Sequence, residues 1–187
     1  MLYWRSSSLP ISTAVKQVAN ALRFGGWTCF WSQLALGVIS GFMFLFAAFI
    51  LPNQMDEAGA GGSLFFPICG LVVLGFSIFL SFRYTRLARK LRAPTDSSRP
   101  SRADTTQQVK RTLITNLVGI TLTLLGAEAI GGILLGESLV MGASMFNSTE
   151  LEKFTPDIII LLGNTHIIVA HFIGIVVGLF LLDRVYK

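Results

Sequence analysis

Four apolar runs, roughly residues 27–51, 64–82, 113–135 and 158–182, dominate this chain of 187 residues. Each is close to the ~20 residues a helix needs to cross ~30 Å of hydrocarbon. Lipid offers the backbone no hydrogen-bond partners, so runs of this length form helices that satisfy themselves. A hydrophobic content of 52% and a mean hydropathy of +0.66 exclude a water-soluble globular domain. The expected fold is an all-α integral membrane protein, with four transmembrane helices in two antiparallel hairpins.

The charges between the runs alternate in sign. Residues 1–26 carry Arg5, Lys16 and Arg23 and no acid, whereas the turn at 52–63 has only Asp56 and Glu57. The connection at 83–112 is strongly basic, and that at 136–157 sets Glu137, Glu150, Glu152 and Asp157 against Lys153. Lys and Arg are retained on the cytoplasmic side. One orientation satisfies every segment: both termini and the middle connection in, the other two connections out. The net charge of +5 lies beside membrane ends. It reads as a topology determinant and a contact for the lipid bilayer, with no nucleic-acid partner.

Residues 1–26 are expected to form a cytoplasmic, interfacial segment. Within it, Val15, Val18, Ala19 and Leu22 share one face and Lys16, Gln17, Asn20 and Arg23 the other, the spacing of an amphipathic helix at the membrane surface. Gly25 and Gly26 are expected to break it, ahead of Trp27 and Trp31 at the aromatic belt. Residues 27–187 then form a single four-helix domain with a basic helical hairpin at about 83–112. Its cytoplasmic patch is Arg83, Arg86, Arg89, Lys90 and Arg92, and Asp104 or Thr105 is the expected N-cap of its second arm. The first apolar run is too long for a cleaved export signal, and no Ser/Arg-rich targeting extension precedes it. A bacterial or already mature chain is expected. Cys29 and Cys69 fall at opposite depths, some 20 Å apart at 1.5 Å per residue, too far for a disulfide.

Helix packing is expected at the pairs Gly37 with Gly41, Gly132 with Gly136, and Gly174 with Gly178, because close backbone approach drives helix association in lipid. Asn164, His171, Gly174 and Gly178 share one stripe of the fourth helix, which must face protein. His166 lies about 140° around from His171. Glu128 is the one acid well inside an apolar run, and it shares a depth with Asn164 and His166. It is expected to pair with one of them, since a lone carboxylate in lipid is costly. Glu128, Asn164, His166 and His171 are the candidate metal or proton ligands. No nucleophile–base pair, closed metal-site spacing or phosphate-cradling loop occurs, so no enzyme activity and no cofactor are expected.

Three segments carry a family likeness: FRYTRLARKLR after the second run, NLVGITLTLLGAEAIGGILLGESL through the third, and NTHIIVAHFIGIVVGLFLLDRV in the fourth. Over roughly residues 20–185 the chain resembles a cyanobacterial and plastid family of small membrane proteins. That family includes a chloroplast inner-envelope protein described both as a protein-import (Tic) component and as an iron permease. The resemblance implies four membrane helices and residence in a cyanobacterial plasma or thylakoid membrane, or in the inner envelope of plant plastids. The family supplies no ligand motif to carry over. Two functions follow as expectations. The first is a small permease, with iron as the implied cargo. Its few buried polar groups lead to the expectation of a pore built from several copies, a homo-oligomer. The second is a non-transporting scaffold or assembly subunit of a larger membrane complex for protein import or photosynthesis.

Overall fold

The computed structural model describes residues 13–50, 57–93, 100–141 and 155–186. These form four long helices: α1 (Thr13–Ile50), α2 (Glu57–Leu91), α3 (Arg102–Met141) and α4 (Thr155–Tyr186). All four are long and apolar enough to cross a membrane, and the chain is an all-α integral membrane protein. Their lengths of 38, 35, 40 and 32 residues outrun the apolar runs, because each helix continues into polar sequence. The acidic turn through Asp56, residues 94–99 of the basic connection and most of the 136–157 connection lie outside the described residues.

The helices pack in ring order, α1 against α2, α2 against α3, α3 against α4, and α4 back onto α1. The outer surface is apolar, with Phe42, Phe49, Val72, Leu135 and Phe172 among its exposed side chains. Inside, two apolar clusters lie toward opposite ends. Ala19, Leu22, Tyr84, Ala88, Val109 and Leu181 close the end that carries the basic residues. Phe44, Ala47, Ile130, Ile160 and Ile167 close the far end.

Two sequence expectations change here. The amphipathic segment is not a separate surface helix, because α1 runs unbroken through Gly25 and Gly26. Its apolar face is as expected, yet it packs on protein: Ala19 and Leu22 are fully buried in the cluster with Tyr84 and Leu181. The glycines serve that packing. A Cβ on Gly26 would stand 2.9 Å from Tyr84 Cβ, and one on Gly25 would stand 3.1 Å from Val177 Cγ1. A mid-helix glycine costs about 1 kcal/mol relative to alanine, which tertiary contacts of this kind can offset. The second change is the cap of α3. Ser101 Oγ accepts the Asp104 N–H at 3.1 Å, while Asp104 Oδ2 accepts the Ser101 N–H at 3.2 Å. Ser101 is therefore the N-cap, and Asp104 is its reciprocal partner three residues on.

Candidate functional site: a polar layer inside the bundle

Polar side chains are also buried in the interior, beside the two apolar clusters as well as between them. On α3 the buried stripe reads Thr105, Gln108, Thr112, Asn116 and Thr123, none more than 9% exposed. From Thr105 to Thr123 it covers about 27 Å at 1.5 Å per residue. Gln33 and Ser40 of α1, Ser77 and Ser81 of α2, and Asn164 and His171 of α4 are also buried. Fewer buried polar groups were expected from the sequence. Polar residues at helical spacing look sparse along a chain and become a layer only when four helices bring them together.

Asn116 is the hub. Its Oδ1 accepts from Gln33 Nε2 at 2.9 Å and from Ser77 Oγ at 2.9 Å, and it faces His171 Nδ1 at 3.0 Å. Its Nδ2 donates to the Thr112 carbonyl at 2.8 Å. Gln33 Nε2 also reaches the Ala170 carbonyl at 3.2 Å, so this one layer joins all four helices. Ser81 Oγ extends it toward Gln33 Oε1 at 3.4 Å and Cys29 Sγ at 3.2 Å.

His171 is enclosed by acceptors. Its Nε2 lies 3.3 Å from the Gly70 carbonyl, opposite the Nδ1 contact with Asn116. A neutral imidazole carries a single N–H, and an amide oxygen and a carbonyl only accept. With one N–H to donate, the ring hydrogen-bonds one of these two acceptors at a time, and its tautomer decides which. Space for the ring comes from α3, where any Cβ on Gly119 would collide with it, and Gly174 makes the same room for the Asn116 amide.

Deeper along α4, Asn164 Nδ2 donates to the Thr123 carbonyl at 2.8 Å, while its buried Oδ1 has no hydrogen-bond partner among the described residues. Ser40 Oγ binds the Gly163 carbonyl at 2.8 Å on the same side of the layer. Cys29 and Cys69 are both free.

The structure separates the four candidate ligands. Asn164 and His171 face the interior with Gly174 and Gly178, as their common stripe requires. His166 is half-buried, and its Nδ1 lies 2.8 Å from the Leu162 carbonyl of its own helix. Glu128 is exposed on the outer surface of α3. Its expected pairing with His166 or Asn164 is not formed. Ile130 is fully buried, and two residues turn a helix by about 200°, so Glu128 points away from the bundle. Matched depth fixes height along the helix, not direction around it. Among the described residues no three His, Cys, Asp or Glu side chains converge.

The glycine pairs also divide. Gly37 abuts Leu74, Gly174 abuts Asn116 and Gly178 abuts Leu113, whereas Gly41, Gly132 and Gly136 meet nothing within 4 Å among the described residues. Sequence reading missed Gln33, Ser77, Ser81 and Asn116. A stripe of Thr, Gln and Asn recurring at three- and four-residue steps on the third helix was the available signal.

The basic patch splits between two grooves. Arg23, Arg89 and Arg92 line one between α1 and α2, with Trp27 and Phe82. Arg83, Arg86 and Lys90 line the other, between α2 and α3.

No solved structure matches the chain. It is similar to Protein TIC 21, chloroplastic, of Arabidopsis thaliana, at 26% identity over 162 residues, which is 83% of this chain and 53% of that protein. The chain spans about half the length of the curated relative it matches. The family described as "Protein of unknown function (DUF3611)" matches residues 12–186, all four helices and the polar layer included, and this chain belongs to it.

Proposed function

We propose that the chain is a small cation-transport unit whose route runs through the middle of its own bundle. The carrying observation is the polar layer of Gln33, Ser77, Asn116 and His171, enclosed by lipid-facing helices and flanked by apolar clusters. An ionisable residue at membrane depth is a functional candidate by default, and His171 is such a residue in this layer. Interhelical hydrogen bonds in membranes average only about 0.6 kcal/mol, a small return for so many buried polar side chains. The layer supplies what a passing cation needs. Amide, hydroxyl and carbonyl oxygens replace hydration, His171 exchanges a proton, and Asn164 Oδ1 is an acceptor without a donor. The Tyr84–Leu181 cluster and the Phe44–Ile160 cluster then act as gates, one opening at a time. Ferrous iron is the cargo the family resemblance implies.

The test is flux into proteoliposomes containing this chain alone. Wild-type protein is expected to take up ferrous iron or protons above empty vesicles. His171→Gln keeps an amide in the layer but cannot titrate, and is expected to lower flux at least ~10-fold, the scale of losing one positioned proton-transfer group. Glu128→Gln is expected to leave flux unchanged, because that side chain lies outside the route. Inserted wild-type protein that passes neither iron, manganese nor protons would end the transport reading.

One observation favours a second reading, a subunit held within a larger membrane complex. Glu128, Gly132 and Gly136 are exposed on one stripe of α3, where another transmembrane helix can approach closely and meet the carboxylate. In that case Glu128→Gln weakens assembly and leaves the isolated chain unchanged.

A further inference from the structure

The second basic groove has a built interior. It lies between α2 and α3, holds about 370 Å³, and is lined by Phe79, Arg83, Arg86, Leu87, Lys90 and Gln108. Arg83 and Lys90 make no ion pair among the described residues, and Arg86 stacks its guanidinium 5.2 Å from the Phe82 ring centre. Gln108 is only 9% exposed, and its Nε2 is buried with no hydrogen-bond partner among the described residues. A buried amide donor is expected to have an acceptor, and this one belongs to a side chain in the wall of a groove of cations, a setting that suits an anion rich in oxygen. Arginine and lysine offer donors only, which suits a phosphate with several acceptor oxygens.

The same face of α2 says which phosphate. Val72, Phe76 and Phe79 precede Arg83, Arg86 and Lys90 at steps of three and four residues, and all six are exposed. The stripe is apolar through the membrane run and turns basic one residue past Phe82, at headgroup level. A soluble phosphate uses only its upper half. A phospholipid uses the whole of it, its headgroup among the cations and a chain along the aromatic residues. We propose that this groove is a binding site for the headgroup phosphate of an anionic glycerophospholipid.

The groove between α1 and α2 is the internal control. It has comparable charge in Arg23, Arg89 and Arg92, but Arg92 already donates to Asn20 Oδ1, and no buried donor without a partner lines it.

The test uses the full chain in nanodiscs of equal phosphatidylglycerol and phosphatidylcholine, released into detergent and weighed by native mass spectrometry. Wild-type protein is expected to retain phosphatidylglycerol in preference to phosphatidylcholine by roughly ten-fold, in line with the attraction of a few juxtamembrane cations. R83Q/K90Q is expected to remove most of that preference. Gln108→Leu keeps every charge and is expected to lower retention by roughly three-fold, the low end of what one net hydrogen bond contributes. R89Q/R92Q is expected to retain the lipid as wild type does. Circular dichroism and elution volume establish that each variant is folded, and the wild-type comparison of the two lipids needs no variant. No preference between the lipids overturns the site. Equal retention by wild type and folded Gln108→Leu, or equal losses from the two double variants, reduces the groove to bulk charge and also overturns it. Release of the lipid by millimolar inorganic phosphate would assign the groove to a soluble ligand instead.

Discussion

Residue identity matters most where helices touch through polar groups. Gly119 has no room for even a methyl group, because the His171 ring occupies that place, whereas Gly132 faces outward with nothing within 4 Å. Gly119→Ala is therefore expected to destabilise the bundle by about 1–3 kcal/mol, the usual cost of overpacking. Gly132→Ala should instead stabilise by up to about 1 kcal/mol, the helix-propensity gain with no contact to oppose it. Thermal unfolding of the two variants in one detergent checks the contrast, and equal midpoints would refute the placement of His171. Both glycines were visible in the sequence, and neither position shows from sequence which one packs. Asn164 and His171 were legible as interior residues, because a polar side chain on a lipid face is costly. Asn116 and Gln33 were not, since each looks like an isolated polar residue until the helices are assembled.

At the scale of the element, the ends of the helices are set by local chemistry. Ser101 and Asp104 close the first turn of α3 by reciprocal hydrogen bonds outside the apolar run. Ser101→Ala is expected to cost about 1 kcal/mol locally. Amide exchange over residues 102–105 should then quicken by roughly five-fold, with the membrane part of α3 unchanged. Unchanged exchange in that turn would show that the cap contributes nothing there. The extension of α2 through Leu91 was readable from the helical recurrence of Arg83, Arg86 and Lys90. The continuity of α1 was not, because a Gly–Gly pair is a helix breaker by propensity. Close packing against Tyr84 and Val177 overrides that propensity.

For the whole molecule, the alternation of basic and acidic connections predicts that the basic end of the bundle faces the cytoplasm. A cysteine placed at Ser97, in the basic connection, should resist an impermeant thiol reagent added outside intact cells and react once the membrane is opened. Ready labelling from outside would invert the orientation and, with it, the leaflet that supplies the proposed phospholipid.

Length, hydropathy and helical rise are enough to specify a four-helix membrane protein and the height of each residue along its helix. Length and hydropathy decide whether a segment spans, and 1.5 Å per residue converts position into height. The tertiary structure decided direction around each helix. Glu128 and Ile130 lie at nearly the same height, yet one faces outward and the other is fully buried. Which face turns inward depends on contacts with three other helices at once, and no single helix encodes that. The polar layer, the room left for His171 and the phosphate groove exist only in that arrangement.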